Sequence, residues 1–433
     1  MMLMLENRSF DHMLGYLYAR QGNRSPAGQP FEGLTGKEWN PDDEGGRAHV
    51  FPIDHTRPGA YFMPGADPGE GFAHTNRQLF GTAQLPPGPT PTPSNQGFVI
   101  DFALALRERH QEGASVYPGT MPADIMGCFT PDALPVISGL ARSYAVCDYW
   151  FGSVPSETLP NRAFAWAGTS LGCLDDHTDV FHTPSIFRRL SERNVNWVIY
   201  GYDAQPLTRG HFPDIAHAEA HHFGRFDDFT KAAAEGRLPA VSLLEPDWGP
   251  CGNSQHPNYD VAAGEQFILA VYQALRAGPG WDSTLLVVTY DEHGGCYDHV
   301  PPPATATPPN VSPGEFGFDF ARFGPRVPTV LVSPLIEPGT VFRVPADGPP
   351  LDHTSLLKTI GQRWGIPPLT PRDQAAPGIG AVLTLDRPRR DDPLAGVVPP
   401  AASSWHAARQ TGRSHLEEVH ARLVTRGRIP KED

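Results

Sequence analysis

Two places in the chain set adjacent oxygen donors at the end of an apolar run, and both have the look of ligands for a hard cation. The first is Glu6-Asn7, which follows the apolar run 1–5. The second is Asp291-Glu292, which follows 285–290 and opens a turn through His293, Gly294 and Gly295 to Asp298 and His299. Carboxylate and amide oxygens suit hard or borderline metals, and paired glycines permit the sharp turn that lets such groups converge. The plainer reading is that Glu6 and Asn7 cap a helix over 9–16 and that Asp291-Glu292 caps a loop. A third stretch, 153–162, is crowded with hydroxyls, Ser156 and Thr158 among them, just before a helix expected from near Ala163. A hydroxyl at a helix amino terminus sits where backbone N–H groups and the helix dipole favour phosphate, a place for a nucleophile; capping is the commoner local use. His256 lies in a polar loop beyond an expected strand end, a better position for acid or base work than an apolar helix face. His299 reads equally as a loop hydrogen-bonder or a catalytic group.

Bulk properties narrow the classes. The 433 residues carry 34 Lys plus Arg against 48 Asp plus Glu, a net charge of -14. That argues against a nucleic-acid partner and against permanent attachment to an anionic membrane, while transient contact with a lipid surface stays open. With 39% hydrophobic and 10% aromatic residues the chain can bury a real core despite 48 prolines and 44 glycines. Cys128, Cys147, Cys173, Cys251 and Cys296 are an odd set without C-x-x-C spacing, so neither a zinc knuckle nor a dense disulfide framework is supported. No run approaches the roughly 18 apolar residues of a membrane span. The amino terminus lacks the regions of a secretory signal, yet 1–5 reads as the tail of a strand, so a start or an export signal upstream is left open.

The elements that must position these groups alternate as in α/β architecture. Strands are expected at 1–5, 145–151, 195–200, 240–245, 285–290 and 326–334, and helices at 97–109, 131–144, 226–234, 262–277, 352–364 and 415–425. Helix 262–277 returns the chain from strand 240–245 to strand 285–290 in a βαβ unit. Between 22 and 97 the chain is polar and rich in Pro and Gly. It reads as a surface excursion and a lid candidate, with the proline run 85–94 in polyproline II form. The expected organisation is a catalytic domain over 1–370, with 22–97 as its loop-rich insertion, and a C-terminal extension over 371–433 carrying the terminal helix.

Four blocks taken together resemble the phosphoesterase family, which contains bacterial phospholipases C, plant non-specific phospholipases C and certain bacterial acid phosphatases. They are Glu6-Asn7-Arg8-Ser9-Phe10-Asp11-His12, Ser153-Val154-Pro155-Ser156-Glu157-Thr158-Leu159-Pro160-Asn161-Arg162, His256-Pro257 with Asp260, and Asp291-Glu292-His293-Gly294-Gly295 with Tyr297-Asp298-His299. Arg326-Val327-Pro328 and Asp352-His353-Thr354-Ser355 match further, so the resemblance spans about 6–360. It implies an alkaline-phosphatase-like α/β fold, a central mostly parallel β-sheet flanked by helices, with long loop insertions. It also implies metal-assisted attack on phosphorus: Glu6, Asn7, Asp291 and Glu292 as metal ligands, Thr158 as nucleophile and further ligand, and His256 on the phosphoryl group or the leaving oxygen, with His256 or His299 assisting departure of the alcohol. The oxygen ligands admit Ca, Mg, Mn, Fe or Zn. One departure stands out, because many relatives carry Asp-Pro-x-His where this chain has Asp67-Pro68-Gly69-Glu70; either His74 replaces that histidine or phosphate binding differs in one contact. The expected activity is phospholipase C action on a phospholipid phosphodiester. A phosphomonoesterase of the acid phosphatase type acting on small phosphate esters is the first rival, and a lipid-binding protein that has lost catalysis is the second. Secretion or a periplasmic location is what the resemblance suggests.

Overall fold

The computed structural model describes residues 1–42, 44–86, 90–257, 259–310, 313–345, 348–403 and 413–431. Part of the proline run 85–94, the end of the proline-rich loop 301–313 and Asn258 of the His256 loop lie outside the described residues. An eight-stranded sheet is built from β1 (Met2–Leu5), β2 (Ala145–Val146), β3 (Trp197–Gly201), β4 (Phe223–Arg225), β5 (Val241–Leu244), β6 (Leu286–Tyr290), β7 (Thr329–Val332) and β8 (Thr340–Val341), in the spatial order β8-β2-β7-β6-β1-β5-β3-β4. β1 runs parallel to both β6 and β5, and β5-β3-β4 continue in parallel. β7 alone runs antiparallel to its neighbours, β6 and β2. The fold is therefore α/β with a mostly parallel sheet flanked by helices.

β1 occupies the middle of this sheet because all four of its residues are apolar and both its faces are covered, the pattern of a buried parallel strand. Leu3 and Leu5 are 0% exposed, and burying each such side chain contributes about 1.5–3 kcal/mol. The helices that bear on the site are α1 (Phe10–Leu14), α2 (Phe72–Phe80), α3 (Phe98–Glu112), α4 (Pro135–Ser143), α5 (Thr158–Ala167), α6 (Phe226–Ala234), α7 (Val261–Ala277), α8 (Thr354–Trp364) and α9 (His415–Thr425). α7 leaves β5 and returns to β6, but the two strands are not neighbours, since β1 lies between them. Leu416, Val419 and Leu423 of α9 belong to the same apolar core as β1 and β6.

Three expectations change. The single strand 145–151 is two: Ala145–Val146 joins the main sheet, while Trp150–Phe151 pairs with Leu351–Asp352. Between them Asp148, buried, accepts hydrogen bonds from Glu32 N at 2.7 Å and from Arg343 Nε at 2.8 Å, and these contacts draw the chain out of the first ladder. α5 begins at Thr158 rather than near Ala163; Pro160 is tolerated because the first turn has no intrahelical partner for its missing N–H. The excursion 22–97 is more ordered than its composition suggests. It holds a short antiparallel pair, Trp39–Pro41 with Arg47–His49, and α2, whose buried positions include the polar Thr75, Asn76 and Gln78.

Candidate active site

The register of the two central strands pairs Leu5 with Tyr290, so the residues that follow, Glu6-Asn7 and Asp291-Glu292, emerge side by side at the carboxyl end of the sheet, where open α/β sheets place their ligands. Asn7 turns the chain with φ 50°, a left-handed conformation that Asn adopts more readily than most residues. Its backbone N–H donates to Asp291 Oδ1 at 3.0 Å. Gly294 and Gly295 close the turn beyond, with φ 61° and 63°. A Cβ on Gly294 would lie 1.9 Å from Asn7 O, and one on Gly295 would lie 2.5 Å from Gly69 O. Only glycine lets these three segments meet.

α5 brings the hydroxyl. Thr158 Oγ1 donates to Asn7 Oδ1 at 3.1 Å. One turn on, at the spacing that shares a helix face, Arg162 Nε donates to Asp291 Oδ2 at 2.8 Å and Nη2 to the carbonyls of Met4 and Leu5. The helix start is fixed by Asp176, whose Oδ1 accepts from Leu159 N at 2.8 Å. Ser156, the other hydroxyl in the loop, donates to Leu174 O instead. Capping of α1, which Glu6 and Asn7 were placed to do, falls to Ser9, which accepts from His12 N at 3.1 Å.

Several supporting groups were not assigned roles from the sequence. His353 Nε2 donates to Asp291 O at 2.5 Å, while its Nδ1 accepts from Trp150 Nε1 at 3.3 Å. A carbonyl only accepts and an indole only donates, so one neutral tautomer is fixed, and burial holds this imidazole below its usual range. His293 lies between Glu292 Oε2 at 3.1 Å and Gln78 Oε1 at 2.7 Å, Gln78 being supplied by α2. The polar excursion also delivers Glu70, whose Oε2 accepts from Asn7 Nδ2 at 2.8 Å. His74 does not take up that position, because its Nδ1 faces Asp101 at 3.0 Å on α3. Ligand atoms of Asp67, Glu70 and His256 all lie within 4.8 Å of one another. His256 Nδ1 donates to Pro257 O at 2.8 Å, which leaves Nε2 as the nitrogen not engaged by Pro257. Asp260 caps α7, accepting from Ala262 N at 2.9 Å.

His299 makes the loop hydrogen bonds of the first of its two expected readings. Its Nδ1 lies 2.6 Å from Asp11 Oδ2 and its Nε2 3.4 Å from Glu32 Oε1, and Arg326 completes the group by donating to Asp11 Oδ1 and Asp298 Oδ1, each at 2.9 Å. Burial alone would lower the imidazole pKa, but the Asp11 charge and the bonds to Asp11 and Glu32 outweigh it and raise it to about 10. These contacts tie His299 to a network separate from that of Thr158.

The carboxylates around Asn7 are crowded. Burial raises Glu6 to about 7, with His256 and Arg162 drawing it down and Asp291 pushing it up. Burial and the charges of Glu70 and Asp291 raise Glu292 well above the usual carboxylate range, and its Oε1 is buried without a hydrogen-bond partner. Acidic oxygens packed together with one left unpartnered form a donor set that fits a divalent cation.

Comparison with known proteins gives the class. The pattern that defines the Phosphoesterase family matches residues 1–367. Non-specific phospholipase C6 of Arabidopsis thaliana is 35% identical over 410 residues, covering 90% of this chain and 73% of the relative. Phospholipase C A of Mycobacterium tuberculosis is 28% identical over 416 residues, covering 84% and 72%. Among solved structures, a putative sulfatase from Bacteroides thetaiotaomicron matches at TM-score 0.38 and 12% identity over 61% of this chain and 72% of its own. A protein of the alkaline phosphatase superfamily from Vibrio parahaemolyticus matches at TM-score 0.35 and 12% identity over 58% and 65%. The protein is a phosphoric ester hydrolase. It belongs to the phosphoesterase family. No helix among the described residues is long and apolar enough to cross a membrane.

Proposed function

We propose that the protein is a metal-dependent phospholipase C that cleaves phospholipid phosphodiesters through a phosphothreonine intermediate. The observation that supports this most is the 3.1 Å hydrogen bond from Thr158 Oγ1 to Asn7 Oδ1, which sets a helix-terminal hydroxyl among carboxylates carried by two neighbouring strands. A threonine hydroxyl is a poor nucleophile at neutral pH; a divalent cation held by Glu6, Asn7, Thr158, Asp291 and Glu292 would lower its pKa and withdraw charge from a phosphoryl oxygen. Thr158 Oγ1 attacks phosphorus, and the bond to the diacylglycerol oxygen breaks. The N-terminus of α5 directs its dipole at the charge that develops. Arg162 and His353 hold Asp291 from its side chain and its carbonyl, which keeps the strand end rigid. His256, protonated at Nε2, gives its proton to the leaving alcohol and then draws one from water, which attacks phosphothreonine from the vacated side and releases the phosphorylated head group. His299, occupied by Asp11 and Glu32, is assigned to holding its own network in place.

The test is a comparison of p-nitrophenyl phosphorylcholine with p-nitrophenyl phosphate, together with head-group release from phosphatidylcholine micelles. Faster turnover of the diester and release of phosphocholine are expected. Turnover of monoesters alone would assign the site to a phosphatase.

A further inference from the structure

Two exposed apolar side chains stand on loops that touch each other. Phe316, 74% exposed, is the one exposed aromatic among the described residues, and Leu171 is 41% exposed. Both hold a left-handed backbone, φ 54° and 57°, a conformation unfavourable for a bulky side chain. Hydrogen bonds lock the loops together: Glu315 N donates to Gly172 O at 2.9 Å, and Leu174 N donates to Glu315 Oε2 at 2.6 Å. A Cβ on Gly314 would lie 2.4 Å from Gly172 O, so the backbones meet, with Leu171 and Phe316 each one residue from an end of the first bond. The rings behind Phe316 are fixed as well. Phe316 stacks on Phe72 with centroids 5.6 Å apart and planes 7° from parallel, Phe72 packs on Phe318 at 5.1 Å, and the guanidinium of buried Arg322 lies 5.5 Å and 5.2 Å from those two rings. Both loops are continuous with the site. Phe72 comes two residues after Glu70, which meets Asn7 at 2.8 Å. Leu174 O accepts from Ser156, and Asp176, two residues on, fixes the start of the helix that carries Thr158.

We propose that Phe316 and Leu171 form a docking ridge that inserts into the surface of a zwitterionic phospholipid aggregate and sets the site against the head groups. An exposed aromatic on a strained backbone, braced by stacked rings, is a feature that the fold alone does not need; contiguous exposed apolar surface of this kind marks an interaction site. Charge chooses the occupant. The segments 70–73, 169–178 and 313–321 contain no lysine or arginine, and the chain carries a net charge of -14. An anionic surface would repel this ridge, whereas a neutral one accepts it through apolar burial. The anchoring of both loops on the segments that carry Glu70 and Thr158 means that a surface held by the ridge is held next to the site.

This inference rests on the phospholipase reading above, and its test separates the two. Wild-type protein and the double variant Leu171→Asn, Phe316→Asn are compared for co-sedimentation with phosphatidylcholine vesicles, for head-group release from those vesicles and for turnover of soluble p-nitrophenyl phosphorylcholine. Asparagine removes the apolar surface yet accepts the left-handed backbone, and circular dichroism checks the fold. Vesicle binding is expected to weaken by at least about 10-fold, and the ratio of vesicle activity to soluble activity to fall with it. Phe316→Trp, which keeps an aromatic ring, is expected to retain both. Equal binding by wild type and double variant would overturn the proposal, as would tighter wild-type binding to phosphatidylglycerol vesicles than to phosphatidylcholine ones. A wild-type dimer that the double variant breaks into monomers, with vesicle binding unchanged, would assign the ridge to a second copy of the chain instead. Cleavage of phosphatidylcholine vesicles that is independent of both residues refutes this inference alone. Vesicle binding that the double variant loses, in a protein that cleaves no diester, refutes the phospholipase reading alone.

Discussion

The same two strands feed two acidic clusters that look alike in sequence and differ in charge balance. From β1 come Glu6-Asn7 and, five residues on, Asp11; from β6 come Asp291-Glu292 and, seven residues on, Asp298 and His299. Asp11, Asp298 and His299 have their ligand atoms as close together as Asp67, Glu70 and His256. In the first group, however, Arg326 stands between the carboxylates, fully buried, its Nε on Asp298 and its Nη2 on Asp11 at 2.9 Å each. The cation is built into the chain. Around Asn7 the guanidiniums are fewer than the carboxylates, and acidic oxygens remain without partners. Proximity of acidic groups alone does not mark a metal site; a shortage of built-in positive charge does.

Four substitutions or conditions test that contrast. Thr158→Ala removes the proposed nucleophile, and a fall in kcat of at least about 1,000-fold with an unchanged melting temperature is expected, measured on p-nitrophenyl phosphorylcholine. Arg326→Met strands Asp11 and Asp298 without their cation; unfolding titrations are expected to show a loss of about 3–5 kcal/mol, while whatever folds keeps the metal content of the wild type. His256→Asn removes the proposed proton donor and is expected to lower kcat by roughly 100-fold. A substrate with a p-nitrophenolate leaving group, which needs less protonation, should suffer less than a phospholipid. The smallest effect is on pH. His299 is raised from 6.5 to about 10 in the folded state, so the stability it contributes is complete below about pH 6.5 and is lost as pH rises through about 10. The melting temperature followed across that window should fall, and His299→Asn should remove this part of the fall.

Much of the fold was legible because it is written in local periodicity. The helix Phe226–Ala234 and the terminal helix His415–Thr425 were placed at both ends, and the β6 run Leu286–Tyr290 was recognisable from its unbroken apolar character. The split of 145–151 was not legible, because Asp148 meets its partners Glu32 and Arg343 from far along the chain. α2 was hidden for a related reason: its buried face carries amide and hydroxyl, Gln78 spent on Gly69, Asp101 and His293 and Thr75 on Glu70 O, so it shows little of the apolar stripe that marks a helix. The candidate site divides the same way. Adjacent pairs at strand ends announced Glu6, Asn7, Asp291 and Glu292, whereas the choice of Glu70 over His74 depends on which side chain of the excursion turns inward. Arg162, four residues after Thr158, was the one supporting residue that helical spacing alone would have put on the same face.

The central claim is that Thr158 carries the phosphoryl group between the two halves of the reaction. Acid quenching during turnover of p-nitrophenyl phosphorylcholine, followed by peptide mass spectrometry, tests it directly. The peptide containing Thr158 should carry the mass of the covalently held phosphorylcholine or phosphoryl group in wild-type protein, and lack it in Thr158→Ala. Turnover with no added mass on that peptide at any quench time, or with the mass on another residue, would contradict the account.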